Sequence, residues 1–202
     1  MIIEYRQTLN FLDDDIKHNL HYIFSIYGVP DKIIEVGTFE GLTSCYISDV
    51  YCHVGPIKIW CIDPHEPSDD LSTNMSLIKE NFLHNINLCK NKDIEYLCKK
   101  SWDGLLDLLN KGVCAQFVYI DGDHRSPYVL EDLVLAFNLL PIGGIILCDD
   151  INWVNSKNDK IPDSPSLAPR LAIENFMQCN WHRIRLIDLP RGHQTAFQKI
   201  NN

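Results

Sequence analysis

Ile33-Ile34-Glu35-Val36-Gly37-Thr38-Phe39-Glu40-Gly41 carries an apolar strand straight into a glycine turn, and a helical pattern opens at Leu42. A turn of this kind lets backbone approach a ligand where a side chain would stand in the way. The glycine spacing bears on which ligand. A dinucleotide fingerprint starting at Gly37 needs further glycines at 39 and 42, but Phe39 and Leu42 stand there. The pattern present is E-x-G-x-x-x-G. The plainer alternative, a tight strand-to-helix turn with no ligand, leaves Glu35 unexplained at the end of a buried strand, where a carboxylate needs partners.

Working outward, strands and helices alternate. Upstream, Leu12, Ile16, Leu20, Ile23 and Phe24 predict an amphipathic helix over 11–27, stopped by Gly28 and Pro30. Downstream, strands are expected at 32–36, 57–62, 94–97, 117–120 and 145–147, and helices at 42–53, 74–90, 102–109 and along the stripe Leu130, Leu133, Val134, Phe137, Leu140. This rhythm indicates a parallel sheet covered on both faces. Residues 151–167, rich in Asn, Ser, Asp and Pro, read as a long loop, which in a compact domain is often functional. A helix over 168–179 and an antiparallel pair, 182–187 and 194–200, close the chain. The expected architecture is α/β, a doubly wound, mostly parallel seven-stranded sheet with a C-terminal antiparallel strand pair.

In an open parallel sheet the carboxyl ends of the strands line the ligand crevice, so acids there draw attention. Asp63 ends the second strand before Pro64. Its two oxygens could accept both hydroxyls of a ribose; an Asp opening a turn is the plainer alternative. Ile120-Asp121-Gly122-Asp123-His124 follows the fourth strand, and Asp149-Asp150 the fifth. Carboxylates at 121, 149 and 150 would converge on one mouth and repel one another unless a cation or protons intervene. A hard divalent ion with oxygen ligands fits, Mg²⁺ first. His124, three residues past Asp121, would face the same ion. A neutral His124 could take the proton of a hydroxyl acidified there. Turn chemistry is the alternative for either segment alone. Of the remaining candidates, His65 is expected to be an exposed loop histidine, Trp153 and Arg170 flank the long loop and could grip an acceptor, and His18 and His21 are expected in solvent.

The E-x-G-x-x-x-G turn resembles the first motif of class I S-adenosylmethionine-dependent methyltransferases, whose fold is Rossmann-like. The resemblance implies that Gly37, Thr38 and Gly41 lie under the amino-acid end of the cofactor, with Glu35 holding the turn or accepting from the cofactor's amino group. It implies Asp63 at the ribose, Ser101-Trp102 by the adenine, and Asp121 within the same site. The strand-end segments Asp121-Gly122-Asp123-His124 and Asp149-Asp150, with Gly143-Gly144, Trp153 and Gln194, are similar to a small-molecule O-methyltransferase subgroup that tailors sugars and antibiotics. Its D-x-x-H pattern falls on Asp121 and His124 as catalytic residues, and its acidic pair on Asp149 and Asp150 beside Asp121 as metal ligands. The likeness covers about residues 33 to 200 and leaves 1–30 and 151–167, which shape the acceptor pocket, unaligned.

One domain, residues 1–202, is expected at this length. A formal charge of −9 without a Lys/Arg cluster argues against a nucleic-acid surface. Eight cysteines with no C-x-x-C spacing exclude the usual zinc site. The absence of a signal-like start and of a long apolar run points to a cytoplasmic protein with no membrane contact. The apolar first helix could support a homo-oligomer. The leading expectation is methyl transfer from S-adenosylmethionine to a hydroxyl of a small-molecule acceptor. A non-catalytic cofactor-binding module and a nicotinamide-dependent oxidoreductase are the alternatives; the failed glycine spacing counts against the second.

Overall fold

The computed structural model describes residues 4–67, 74–153 and 168–202. Seven strands, β1 (Lys32–Val36), β2 (Lys58–Ile62), β3 (Ile94–Leu97), β4 (Phe117–Ile120), β5 (Ile145–Cys148), β6 (Ile184–Ile187) and β7 (Thr195–Lys199), form one sheet in the order β3-β2-β1-β4-β5-β7-β6. The first five are parallel, and β7 runs antiparallel between β5 and β6. The strand order reverses between β1 and β4, so the crevice at their carboxyl ends is the expected ligand site.

The central strands β1, β2, β4 and β5 are largely apolar because both of their faces are covered. Alternate residues point to opposite faces. Ile34, Val36, Val118, Ile120 and Ile146 pack on one side with α4 (Ser101–Asn110), α5 (Ser126–Leu139) and α6 (Pro169–Cys179). Ile33, Ile59, Cys61, Phe117, Tyr119, Ile145 and Leu147 pack on the other, against a layer that includes α1 (Asp14–Tyr27), α2 (Leu42–Tyr51) and Phe82 and Ile86 of α3 (Met75–Leu88). The eight cysteines are free, and Cys61 and Cys148 are buried within strands, as small hydrophobes.

Most boundaries fall within two residues of expectation, and two helix starts differ by more. Helix α1 opens at Asp14 rather than near residue 11, because Asp13 caps it by accepting from the Ile16 N–H at 2.9 Å. Helix α5 opens at Ser126, ahead of its apolar stripe, with Pro127 in its first turn. Of the long loop expected at 151–167, residues 154–167 lie outside the described residues. No helix among the described residues is long and apolar enough to cross a membrane.

Candidate active site at the carboxyl ends of the strands

The glycine turn is built on contact between β1 and β4. Gly37 has φ +79°, and a Cβ placed on it would lie 1.9 Å from the carbonyl oxygen of Asp121. Only glycine allows the two strand ends to close in this way. Gly41, at φ +74°, opens α2 from the left-handed region, and a Cβ there would press on Phe82. Three non-glycine residues also have positive φ, namely Phe39 (45°), His65 (50°) and Asp150 (52°). Each follows the carboxyl end of a strand, and such strain clusters at functional sites.

Asp63 fixes the turn. Its Oδ2 accepts from the N–H groups of Thr38 (3.0 Å) and Phe39 (2.9 Å), and its Oδ1 from the N–H of His65 (2.7 Å). The carboxylate expected at a ribose is thus already bound to the turn, although its oxygens can accept further bonds. His65 is not an exposed loop histidine. Its ring is enclosed, with Nδ1 2.6 Å from the Tyr96 hydroxyl and Nε2 2.7 Å from the Phe39 carbonyl, and it packs on Phe82. The turn needed a second polar anchor, which no local pattern around His65 announces.

Glu35 is buried beneath the turn, where it accepts from the Ser44 hydroxyl. Burial pushes its carboxyl up to about 8, against the pull of Ser44 and with the help of Asp121 and Asp63. The Thr38 hydroxyl is buried and has no hydrogen-bond partner among the described residues. An orphaned polar atom at this place costs stability unless a ligand meets it.

Ser101 and Trp102 open α4 just past β3. Trp102 is 46% exposed and so is not part of the core. Below Ser101 lies a residue that the sequence reading missed. Asp132 of α5 is buried under Gly122, and neither of its oxygens has an aligned donor among the described residues. Burial raises it to about 7, opposed by the nearby Ser101 hydroxyl. Its sequence signals are a carboxylate on an otherwise apolar helix face and its place in Val129-Leu130-Glu131-Asp132, a stretch that shares the subgroup resemblance.

The second half of the site comes from β4 and β5. Asp121, His124 and Asp150 each offer a ligand atom within 4.8 Å of the others. His124 Nε2 is 3.2 Å from Asp150 Oδ2 and 3.9 Å from Asp121 Oδ1. The imidazole stacks on Trp153 at 4.7 Å. Burial alone would lower His124, but Asp121 and Asp150 outweigh it and raise the ring to about 10. Burial also lifts Asp121, to about 7, assisted by Asp149 and relieved by His124. Asp121 and His124 both hold their protons more tightly than the ordinary side chains do.

Asp149 faces elsewhere. It accepts from the hydroxyl of Tyr119, from Gln194 Nε2 at 3.1 Å and from the Asp150 N–H at 2.7 Å, and it lies 3.4 Å from His193 Nε2. Gln194 in turn accepts from Asn19 of α1 at 2.8 Å. The structure therefore groups two of the three expected carboxylates with His124 and ties the third to β4, β7 and α1. Arg170 reaches Asn152 and Glu174. His18 and His21 are exposed on α1.

A family model described as a methyltransferase domain matches residues 34–151, more than half of the chain. Comparison with curated proteins by sequence finds no match. Solved structures with the same fold include an O-methyltransferase from Bacillus cereus in complex with SAH, at 17% identity and TM-score 0.64, with 93% of this chain and 82% of that one covered. Another is TomG, an O-methyltransferase from Streptomyces achromogenes involved in tomaymycin synthesis, in complex with SAM (16%, TM-score 0.64, coverage 95% and 83%). At such identities the structural likeness is one of fold, and the family rests on the matched residues, which run from Ile34 through the glycine turn to Ile151. The chain belongs to the class I S-adenosylmethionine-dependent methyltransferases.

Proposed function

We propose that this methyltransferase transfers its methyl group to a hydroxyl of a small-molecule acceptor, assisted by a divalent ion, Mg²⁺ first. The observation that carries the reading is the convergence of Asp121, His124 and Asp150 at the mouth beside the glycine turn. We take residues 1–202 as one catalytic domain, with 151–167 on the acceptor side.

In this reading Gly37, Thr38 and Gly41 lie under the amino-acid end of the cofactor, and the orphaned Thr38 hydroxyl gains a partner there. Glu35 accepts from the cofactor's amino group, which returns its carboxyl toward the charged form. Asp63 holds the turn and offers its remaining lone pairs to the ribose. Ser101 and Trp102 flank the adenine. The protein's main contribution is alignment of the acceptor oxygen behind the methyl group.

The donor set fits a divalent ion. Asp121 and Asp150 are hard oxygen ligands, and Asp121 is raised by burial and by the neighbouring Asp149, as expected of an acid that lacks a nearby cation. Asp149 would complete the set by exchanging its contact with His193. The ion would supply positive charge that holds the acceptor hydroxyl and lowers its pKa. Positive charge at this place also disfavours the imidazolium, so that His124 becomes a neutral base able to take the hydroxyl proton.

The test is methyl transfer to a panel of hydroxylated small molecules, with Mg²⁺ or with a chelator, in the parent and in His124→Ala. The expected result is metal-dependent transfer by the parent and loss of roughly 10²–10⁴ in rate by the variant, with cofactor binding retained. Normal turnover by His124→Ala would remove the base assignment. A parent that binds the cofactor, never transfers, and tolerates Asp149→Ala would be the non-catalytic binding module instead.

A further inference from the structure

Glu40 lies inside the glycine turn, and its side chain bonds to residues outside that turn. It is 1% exposed. Its carboxylate accepts from the Thr8 N–H with both oxygens, at 2.8 and 3.0 Å, and from Asn81 Nδ2 at 2.7 Å. One turn further along α3, the buried Asn85 makes a two-way bridge to the backbone of Arg6. Its Oδ1 accepts from the Arg6 N–H and its Nδ2 donates to the Arg6 carbonyl, both at 2.8 Å. The same amide group donates to the Glu40 carbonyl at 2.9 Å. Tyr5 adds a bond to Asp49 at 2.7 Å. Phe11 then lays its ring on Phe39, 4.9 Å between centroids.

Residues 5–11 are thus an irregular segment held over the glycine turn by side chains that supply what a neighbouring strand would. Buried polar groups of this kind are costly unless fully bonded, and here the bonds are spent on a segment outside the sheet and its helices. Phe11 and Leu9 remain 48% and 40% exposed, so core burial does not account for the segment's place.

We infer that Glu40 is a positioning residue that clamps residues 5–11 as a strap across the glycine turn and so retains the bound cofactor. The inference rests on the assignment of the 37–41 turn to S-adenosylmethionine. The strap packs the Phe11 ring on Phe39, whose backbone is already held by Asp63 and His65. Release of the cofactor then requires the strap to lift, and the strap slows dissociation more than it affects association.

The test is stopped-flow binding of S-adenosylmethionine to the full chain and to three variants, with melting temperature measured alongside. Thr8→Pro removes the N–H that Glu40 accepts and leaves the carboxylate in place. Phe11→Ala removes the ring from Phe39, and Phe11→Tyr keeps one there. The expected result is dissociation faster by on the order of tenfold for Thr8→Pro and Phe11→Ala, association changed much less, and a parental rate restored in Phe11→Tyr. Equal dissociation rates in all four proteins would overturn the strap, as would a loss that tracks melting temperature and is not recovered by Phe11→Tyr. A parent that fails to bind S-adenosylmethionine would remove the assignment of the turn, a different failure visible in the same experiment.

Discussion

His124 sits between two carboxylates that hold it protonated, with the ring raised to about 10. A general base must be neutral, so the reaction proposed for this site needs a positive charge to expel that proton. Metal binding should therefore be linked to proton release. Titration of Mn²⁺ or Mg²⁺ at neutral pH in buffers of different ionisation enthalpy should show roughly one proton released per ion, and His124→Ala should release substantially fewer. A release unchanged by the substitution would separate His124 from the ion. Glu35 carries the same logic on the cofactor side, since its carboxyl is pushed up to about 8 by burial and a cationic amino group nearby would draw it back down.

At the scale of elements, the site depends on how tightly β1 and β4 close at their carboxyl ends. Gly37 makes that closure possible, because any side chain would meet the Asp121 carbonyl. Gly37→Ala adds a clash with backbone to a strained φ, and it should cost roughly 3 kcal/mol or more of stability. It should also abolish cofactor binding, as Asp121 is displaced together with the turn. A variant that melts and binds like the parent would contradict this account of the turn. Gly28 is a useful contrast. It also has positive φ, but nothing lies within 4 Å of a Cβ placed there, so Gly28→Ala should lose only the backbone-strain cost of about 1–3 kcal/mol.

For the whole molecule, the buried acids set how stability depends on pH. Glu35 is raised to about 8 and Asp132 to about 7, in both cases first by burial. Groups with a raised folded pKa bind protons that the unfolded chain has released. Their stabilising contribution is full below the unfolded pKa and is lost as pH rises through the folded value. The ligand-free protein should therefore lose melting temperature between about pH 5 and about pH 8, and His124 adds to the same trend. Bound S-adenosylmethionine should flatten the slope by offering Glu35 a cation. A melting temperature that rises across this interval would show that the two acids do not govern it.

The alternation of apolar runs with helical stripes was enough to place the seven strands and their neighbouring helices, because the central strands are buried on both faces and read as mostly apolar runs while the C-terminal pair alternates. Glycine spacing separated the turn at 37–41 from a dinucleotide fingerprint, since backbone approach is a local property. Acids at strand ends were legible for the same reason. What local pattern could not show was the direction of each side chain. Asp149 and Asp150 are adjacent, yet one turns into the Tyr119–Gln194–Asn19 network and the other toward His124. The inward placement of His65, the burial of Asp132 and the clamp from Glu40 to Thr8 join residues far apart in the chain. Such partners exist only after the sheet is assembled, because hydrogen bonding of a buried polar group depends on which atoms packing brings within reach.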